Sequence, residues 1–531
     1  MRESIERALR NIAAYGDTDI FPFPFERHVF HDMEPQAVDV ILSMHDNFHP
    51  TMAGNPPSNI ETLSPVGYTG FRWATQIEPF WNAYYLSLVL ELAERIEAVR
   101  SPVSARNVFS YRYEWDATNN KIFSNSNWRD YRNRTKELCG DFEYVVITDI
   151  ADFYPRIYHH RLENALARLP GADALSKRIM KFLQVCSSND SYGLPVGGPA
   201  SRLLAELALA DTDRHLDSKK IAFCRYADDY TIFASSKEDA YRNLVFLADK
   251  LFNEGLALQK KKTRILTREE YLESVGGLDP TDSSESTQTD EDRLLSISVR
   301  FDPYSPTAVD DYENLKSALQ EIDIVGVLGR EVAKASIDQA VARQAISAVS
   351  VLDPNKQEGA IRTLLDPENI QVLSPVIVSV LRLVRGIYKG LPELAKSYAD
   401  EFLVGLYRNN SFLLSLELHQ AFYVQALAQG HSQEKEQILV DMYDRSASSL
   451  VRRQIIFAMI DLEALYWLRD AKQQYGASTE WEKRAFLVCS YWLGDEGSHW
   501  LNHLKAGLNP SQKLVRDWFH ERWKENNTVP H

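Results

Sequence analysis

The 531-residue sequence predicts an α+β amino-terminal part followed by an all-helical carboxy-terminal part, and three features predict it. A β-branched run, Tyr144-Val145-Val146-Ile147, ends on Thr148-Asp149. Two more strand-like runs, Ile221 to Tyr226 and Tyr230 to Ala234, flank Ala227-Asp228-Asp229. An acidic, Ser/Thr-rich stretch from Asp279 to Asp292 has almost no apolar residue, and beyond about Asp310 the chain is a succession of helical segments with no strand-like run.

Along the chain, residues 1–100 mix short helices with aromatic, Pro-rich loops. In Ile20-Phe21-Pro22-Phe23-Pro24-Phe25-Glu26 each proline removes a donor and restricts the residue before it, which predicts an extended segment packed over a core. Ile77 to Val99 has helical apolar spacing and predicts one long buried helix. After the strand ending at Asp149 come helices over Ala174 to Val185, Ala200 to His215 and Lys237 to Asn253, with a Gly/Pro loop over Gly193 to Pro199 and a short segment at Leu256 to Leu258. The acidic stretch buries too little to offset its ordering entropy and is read as a flexible linker. The expected organisation is therefore a first domain over 1–278, a linker over 279–309 and a helical domain over 310–531. In the last, Val376 to Tyr388, Leu416 to Gln429 and Leu450 to Lys472 suggest helix pairs in a solenoid-like stack.

Apolar residues make up 44% and charged residues 25%, ordinary for a globular protein. A net charge of −15 argues against long basic tails that coat nucleic acid, yet leaves room for a locally basic groove. Cys139, Cys186, Cys224 and Cys489 form no C-x-x-C pair, which disfavours zinc and disulfides and fits a reducing cytoplasm. No apolar run approaches the roughly 18 residues of a membrane span, so no membrane is expected.

The candidate chemistry rests on three carboxylates. Nucleotidyl transfer needs two divalent ions about 3.5–4 Å apart, held by hard oxygen ligands. A strand-tip Asp149 beside a hairpin-turn Asp228-Asp229 supplies such ligands on neighbouring strands. Each alone has a plainer reading: Asp149 as a helix cap, Asp-Asp as ordinary turn chemistry. The ordered set is what points to catalysis.

That set resembles the palm motifs of reverse transcriptases. Asp149-Ile150-Ala151-Asp152-Phe153-Tyr154-Pro155-Arg156-Ile157 resembles the first, and Gly193-Leu194-Pro195-Val196-Gly197-Gly198-Pro199-Ala200-Ser201-Arg202-Leu203-Leu204-Ala205-Glu206 the second. Tyr226-Ala227-Asp228-Asp229 matches the third and Gly255-Leu256-Ala257-Leu258-Gln259-Lys260-Lys261-Lys262-Thr263 looks like the fourth. The resemblance implies a fingers and palm domain in which Asp149 and Asp228, supported by Asp229, hold magnesium or manganese. It makes Tyr154 the steric gate that favours deoxynucleotides, core packing being the plainer role. Gly197, Gly198 and Ser201 become the loop that approaches the incoming nucleotide and template base, and Lys262 the lysine near the leaving pyrophosphate. Lys260, Lys261 and Arg264 read equally well as a solvated basic face. Phe109-Ser110-Tyr111-Arg112 resembles the fingers segment before the palm, with Arg112 as a triphosphate clamp. The run Trp128, Arg129, Tyr131, Arg132, Arg134, Lys136 suits nucleic-acid contact.

Val196 stands where retron and intron-encoded enzymes carry Gln, and Arg202 where they carry Pro. The second motif thus looks like that of the abortive-infection (Abi) group of bacterial antiphage reverse transcriptases, which fuse the palm to a HEAT-like helical domain. This resemblance implies oligomers that make single-stranded DNA from deoxynucleoside triphosphates without a template, covalently attached to a tyrosine of the protein. Tyr15-Gly16-Asp17-Thr18-Asp19-Ile20-Phe21 looks like the segment holding that tyrosine, at Tyr15; a plain packing role stays open. Two other readings remain: a defence enzyme copying a partner non-coding RNA, and a non-catalytic scaffold binding a phage protein. His419, His431, His499 and His503 are dispersed and read as structural or surface residues.

Overall fold

The computed structural model describes residues 1–124, 128–187, 190–276, 289–296, 319 and 322–525. The chain divides into two compact units. One comprises Met1–Glu61, Ala74–Leu278 and Leu508–His531; the other comprises Thr62–Trp73 and Asp279–Gly507. The carboxy-terminal helix Pro510–Glu525 thus belongs with the first unit, where Trp518 donates to Asp32 at 2.7 Å and stacks on Phe25. Most of the expected linker lies outside the described residues; within it, Asp290–Ser296 is a helix.

Eight strands are described. Two short pairs, β1 (Ile60–Val66) with β2 (Gly70–Gln76) and β3 (Tyr113–Asp116) with β4 (Lys121–Phe123), were not foreseen. The remaining strands β5 (Tyr144–Asp149), β6 (Ala222–Tyr226), β7 (Asp229–Ala234) and β8 (Arg264–Thr267) form one antiparallel sheet in the order β6-β7-β5-β8. Strand β8 also escaped the sequence reading, because four residues beginning on arginine carry little alternation.

The sheet is covered on both faces, which explains the near-continuous apolar run of β5. On one face Val145, Phe233 and Cys224 pack with Tyr131 and Cys139 of helix Trp128–Cys139 and with Tyr271 and Val275 of helix Arg268–Gly276. Side chains alternate along a strand, so Val146, Tyr230 and Arg225 point to the opposite face, where Arg225 meets helix Pro199–Ser218. The Phe-Pro segment is an irregular loop that buries Phe21 and Phe25, as expected.

The long helix expected over Ile77 to Val99 is two helices, Pro79–Leu90 and Ala93–Val99. At the break, Glu91 accepts a hydrogen bond from Ser4 Oγ at 2.5 Å, a long-range contact that local spacing does not announce. Leu450 to Lys472 divides likewise into Ser449–Asp461 and Leu465–Ala471, around Glu463 in a left-handed conformation (φ 59°).

In the second unit the main described elements after residue 322 are helices. Alternate helices pack in a row: Gln339–Val349 on Ile377–Ile387, then Glu417–Leu427, Ser449–Asp461 and Glu480–Cys489. The helices between them form a second row, Pro354–Leu364 on Glu393–Arg408 and then Gln433–Arg445. Glu417–Leu427 and Ser449–Asp461 are buried nearly all round, which a helix tolerates only with neighbours on every side. His419 is buried, 2.7 Å from the Leu413 carbonyl oxygen, and His431 pairs with Glu436. No helix among the described residues is long and apolar enough to cross a membrane.

Candidate active site

Strand register brings the acids together. Asp149, last in β5, pairs directly across from Asp229, first in β7, and the Ile150 amide donates to the Asp228 carbonyl at 3.2 Å. The turn between β6 and β7 passes through Ala227 with φ 53°, a left-handed conformation unusual for alanine. Arg225 holds it there by donating to the Ala227 carbonyl at 2.9 Å. On the other side, Gln259 N donates to the Asp149 carbonyl at 2.7 Å and Ala151 N to the Ala257 carbonyl at 2.8 Å, which draws the fourth motif onto the first.

The site's electrostatics follow from this crowding. Burial, then the charges of Asp149 and Asp229, raises the Asp228 carboxyl to about 7. Burial and Asp149 raise that of Asp229 to about 6, against the pull of Lys262. Lys262 Nζ bonds Asp149 Oδ2, and that bond foremost raises the ammonium's own pKa. Asp149 Oδ1 is buried with no hydrogen-bond partner. As placed, no three His, Cys, Asp or Glu side chains among the described residues converge on a single ion position. The donor set nonetheless fits a divalent cation: an orphaned carboxylate oxygen, and two neighbouring acids whose charged forms lack compensation.

A cavity of about 350 Å³ opens beside the pair, lined among others by Asp149, Asp229, Trp128, Arg132, Lys262 and Arg264. The basic-aromatic run therefore divides. Trp128, Tyr131 and Arg132 line the cavity, Tyr131 being buried with its hydroxyl 2.7 Å from Thr231 Oγ1, while Arg134 pairs with Glu137. Lys261 and Arg264, both exposed, also line the cavity.

Tyr154 stands half-buried beside Phe153, ring centres 5.3 Å apart, and its carbonyl accepts from the Leu194 amide at 2.9 Å, which ties the first motif to the second. Arg112 departs from expectation. It is buried and bonds Glu97 at 2.7 Å and the carbonyls of Ser101 and Val108, so all three of its nitrogens are engaged and it does not serve as a triphosphate clamp. The desolvation that lowers its pKa also keeps it from solvent and ligand.

The glycine loop also differs. Gly197 has φ 121°, and a Cβ there would run into Thr18 Oγ1; at Gly198 the nearest group is the Asp17 carbonyl, 3.6 Å from an added Cβ. The close approach that glycine permits is thus made by the protein's own amino-terminal segment. Ser201 is buried close to the Tyr85 hydroxyl. Tyr15 ends helix Arg2–Tyr15, about half exposed at 47%, with its hydroxyl donating to the Asn119 carbonyl at 2.6 Å in the β3–β4 turn. Gly197→Ala should therefore destabilise by about 1–3 kcal/mol through strain and overlap. Thermal unfolding measures this, and adding Thr18→Gly should restore part of the loss.

Sequence reasoning missed the buried network behind the turn. Arg225 bonds Asp213 at 2.6 and 2.9 Å and Glu206 at 2.9 Å; Glu206 also accepts from Arg100 at 2.6 Å and Ser110 at 2.5 Å. The available signal was an arginine inside an apolar strand, which demands a buried carboxylate partner.

Residues 97–298 match the family model described as reverse transcriptase (RNA-dependent DNA polymerase). That stretch, less than half of the chain, is similar to a reverse-transcriptase domain. It is 28% identical over 137 residues to the retron Ec86 reverse transcriptase of Escherichia coli, a match spanning 25% of this chain and 41% of that protein. Among solved structures it resembles apo telomerase from Candida tropicalis (TM-score 0.32, 10% identity, 64% of this chain and 67% of that one). It also resembles telomerase from Candida albicans in complex with a fragment of telomeric RNA (TM-score 0.28, 12% identity, 78% and 70%). Both likenesses are slight.

Proposed function

We propose that this protein is an antiphage-defence DNA polymerase of reverse-transcriptase type, which builds DNA on its own Tyr15 without a template. The observation that carries the polymerase reading is the pairing of Asp149 across from Asp229, beside Asp228, inside a reverse-transcriptase domain. Asp149 and Asp228, with Asp229, would hold two magnesium or manganese ions, which lower the pKa of the attacking hydroxyl and stabilise the leaving group. Tyr154 closes the sugar pocket against a 2′-hydroxyl, and Lys262 sets a positive charge where pyrophosphate departs. In the first step the Tyr15 phenol oxygen attacks the α-phosphorus of a deoxynucleoside triphosphate. The bond to the bridging oxygen breaks, pyrophosphate leaves and the phenol proton passes to solvent.

Template independence rests on the glycine loop, whose open side is taken by Thr18 and Asp17 of the chain itself. Those residues lie two and three positions beyond Tyr15, which tethers the phenol near the second motif. The alternating rows of packed helices support the HEAT-like reading of the second unit, whose role we assign to oligomer contacts.

The test is incubation of pure protein with each labelled deoxynucleotide and magnesium, without template, followed by protease digestion. Label should stay on the peptide containing Tyr15 and disappear in Tyr15→Phe, which lacks the nucleophile but keeps the ring. The identity to a retron reverse transcriptase favours a second reading, templated copying of a partner non-coding RNA. Incorporation that requires added RNA would decide for it.

A further inference from the structure

Arg202 follows Ser201 of the glycine loop and lies in the first turn of helix Pro199–Ser218. Its guanidinium carbon sits 5.1 Å from the centre of the Tyr111 ring. Tyr111 in turn lies 6.2 Å, ring to ring, from Tyr226, the residue that leads into the Asp228 turn. Burial raises the phenol pKa of Tyr111, Tyr154 and Tyr226, and the positive charge of Arg202 opposes that rise at all three. The charge of Asp228 adds to it at Tyr111 and Tyr154. Arg202 thus lies near Tyr111, Tyr154 and Tyr226, on the Tyr226 side that leads into the Asp228 turn.

What Arg202 lacks is a carboxylate. It is half-buried and forms no ion pair among the described residues, whereas Arg100, Arg112 and Arg225 nearby are all paired. A guanidinium laid over an aromatic ring commits its face to the ring and keeps its in-plane N–H groups free. Those groups form the planar fork that pairs with phosphate in bidentate fashion.

We propose that Arg202, held against Tyr111, binds the triphosphate of the incoming nucleotide, the role that the buried Arg112 does not fill. The proposal rests on the nucleotidyl-transfer reading of the site. A guanidinium fork also matches the edge of guanine, so the experiment separates the two ligand parts.

The experiment is equilibrium binding of each of the four deoxynucleoside triphosphates, and of inorganic tripolyphosphate, to the full chain with calcium present. Arg202→Ala should weaken binding roughly 10–100-fold, the range for a lost charge-assisted hydrogen bond, by the same factor for all four nucleotides and for tripolyphosphate. Arg202→Lys should recover part of it. Tyr111→Ala should lose part, and the double variant should be no worse than Arg202→Ala alone, because the ring acts through the guanidinium. Unchanged binding in Arg202→Ala, or a loss confined to one base, overturns the proposal. Should Arg202→Ala fail to fold, Arg202→Lys and Tyr111→Ala carry the same comparison. Wild-type protein that binds triphosphates through Arg202 yet incorporates none would leave this inference standing and remove the polymerase reading.

Discussion

On the proposed polymerase reading, Asp228→Asn should abolish nucleotide incorporation, by at least about a thousandfold, and should raise the thermal stability of the protein in the absence of divalent ions. The loss follows because a neutral amide cannot hold a divalent ion as a carboxylate does. The gain follows from where the charge sits. Burial and the neighbouring Asp149 and Asp229 raise the Asp228 carboxyl to about 7 in the folded chain, against about 3.9 for an unfolded aspartate. A group with a raised folded-state pKa favours folding fully below its unfolded value, and that advantage is lost as pH rises through the folded value. Between about pH 4 and 7 the wild type therefore loses stability at this position, and above 7 the whole cost is present. Asp228→Asn carries no such charge, so its advantage is largest at pH 8, on the order of 1–3 kcal/mol, and shrinks toward pH 4. Melting curves at pH 5 and pH 8 with chelator check this. Equal melting temperatures at pH 8 would mean that the three acids are not crowded in solution. Added magnesium should stabilise the wild type and leave the variant unmoved.

Replacing Arg225 with methionine has the largest expected effect on folding. Its guanidinium is fully buried and shared between Asp213 and Glu206, which are buried on helix Pro199–Ser218. The two acids hold its pKa well above the ordinary arginine value even though burial alone would lower it. Glu206 stays below its ordinary value for the complementary reason: burial would raise it, but Arg225 and Arg100 outweigh that. Arg225→Met leaves two carboxylates without their shared cation, and breaking a buried pair in this way costs about 3–5 kcal/mol. It also releases the Ala227 carbonyl, so the strained turn that presents Asp228 loses its clamp. Activity should fall further than the unfolded fraction accounts for. Urea unfolding gives the first quantity and incorporation per folded molecule the second. Adding Asp213→Asn should return part of the stability, since Asp213, unlike Glu206 with Arg100, is left without a cation, but it should not return the turn.

Much of the site was legible because its signals are local. Asp149 could be placed at a strand tip from the β-branched run before it, and Asp228-Asp229 at a turn from the two runs around it. The helices over Asp173–Cys186, Pro199–Ser218 and Lys237–Asn253 were visible as uninterrupted apolar periods. Arg112 was misread for the opposite reason. An arginine after Phe109-Ser110-Tyr111 looks available in sequence, but Glu97, Ser101 and Val108 take its nitrogens once the chain is folded. The contact of the glycine loop with Thr18 was not legible, since Thr18 is nearly two hundred residues away along the chain.

The sequence by itself determined which candidate residues sit on which element: three aspartates, a lysine and an aromatic side chain, set in order on strands and turns by short-range patterning. Only the tertiary structure decided which charges are spent and which are free. Arg112, Arg100 and Arg225 are taken up by carboxylates, while Arg202 lies over Tyr111 with no ion pair among the described residues. The physical reason is that a buried ion must find its counter-charge wherever folding delivers one, and nothing in the local pattern of a chain records that partner.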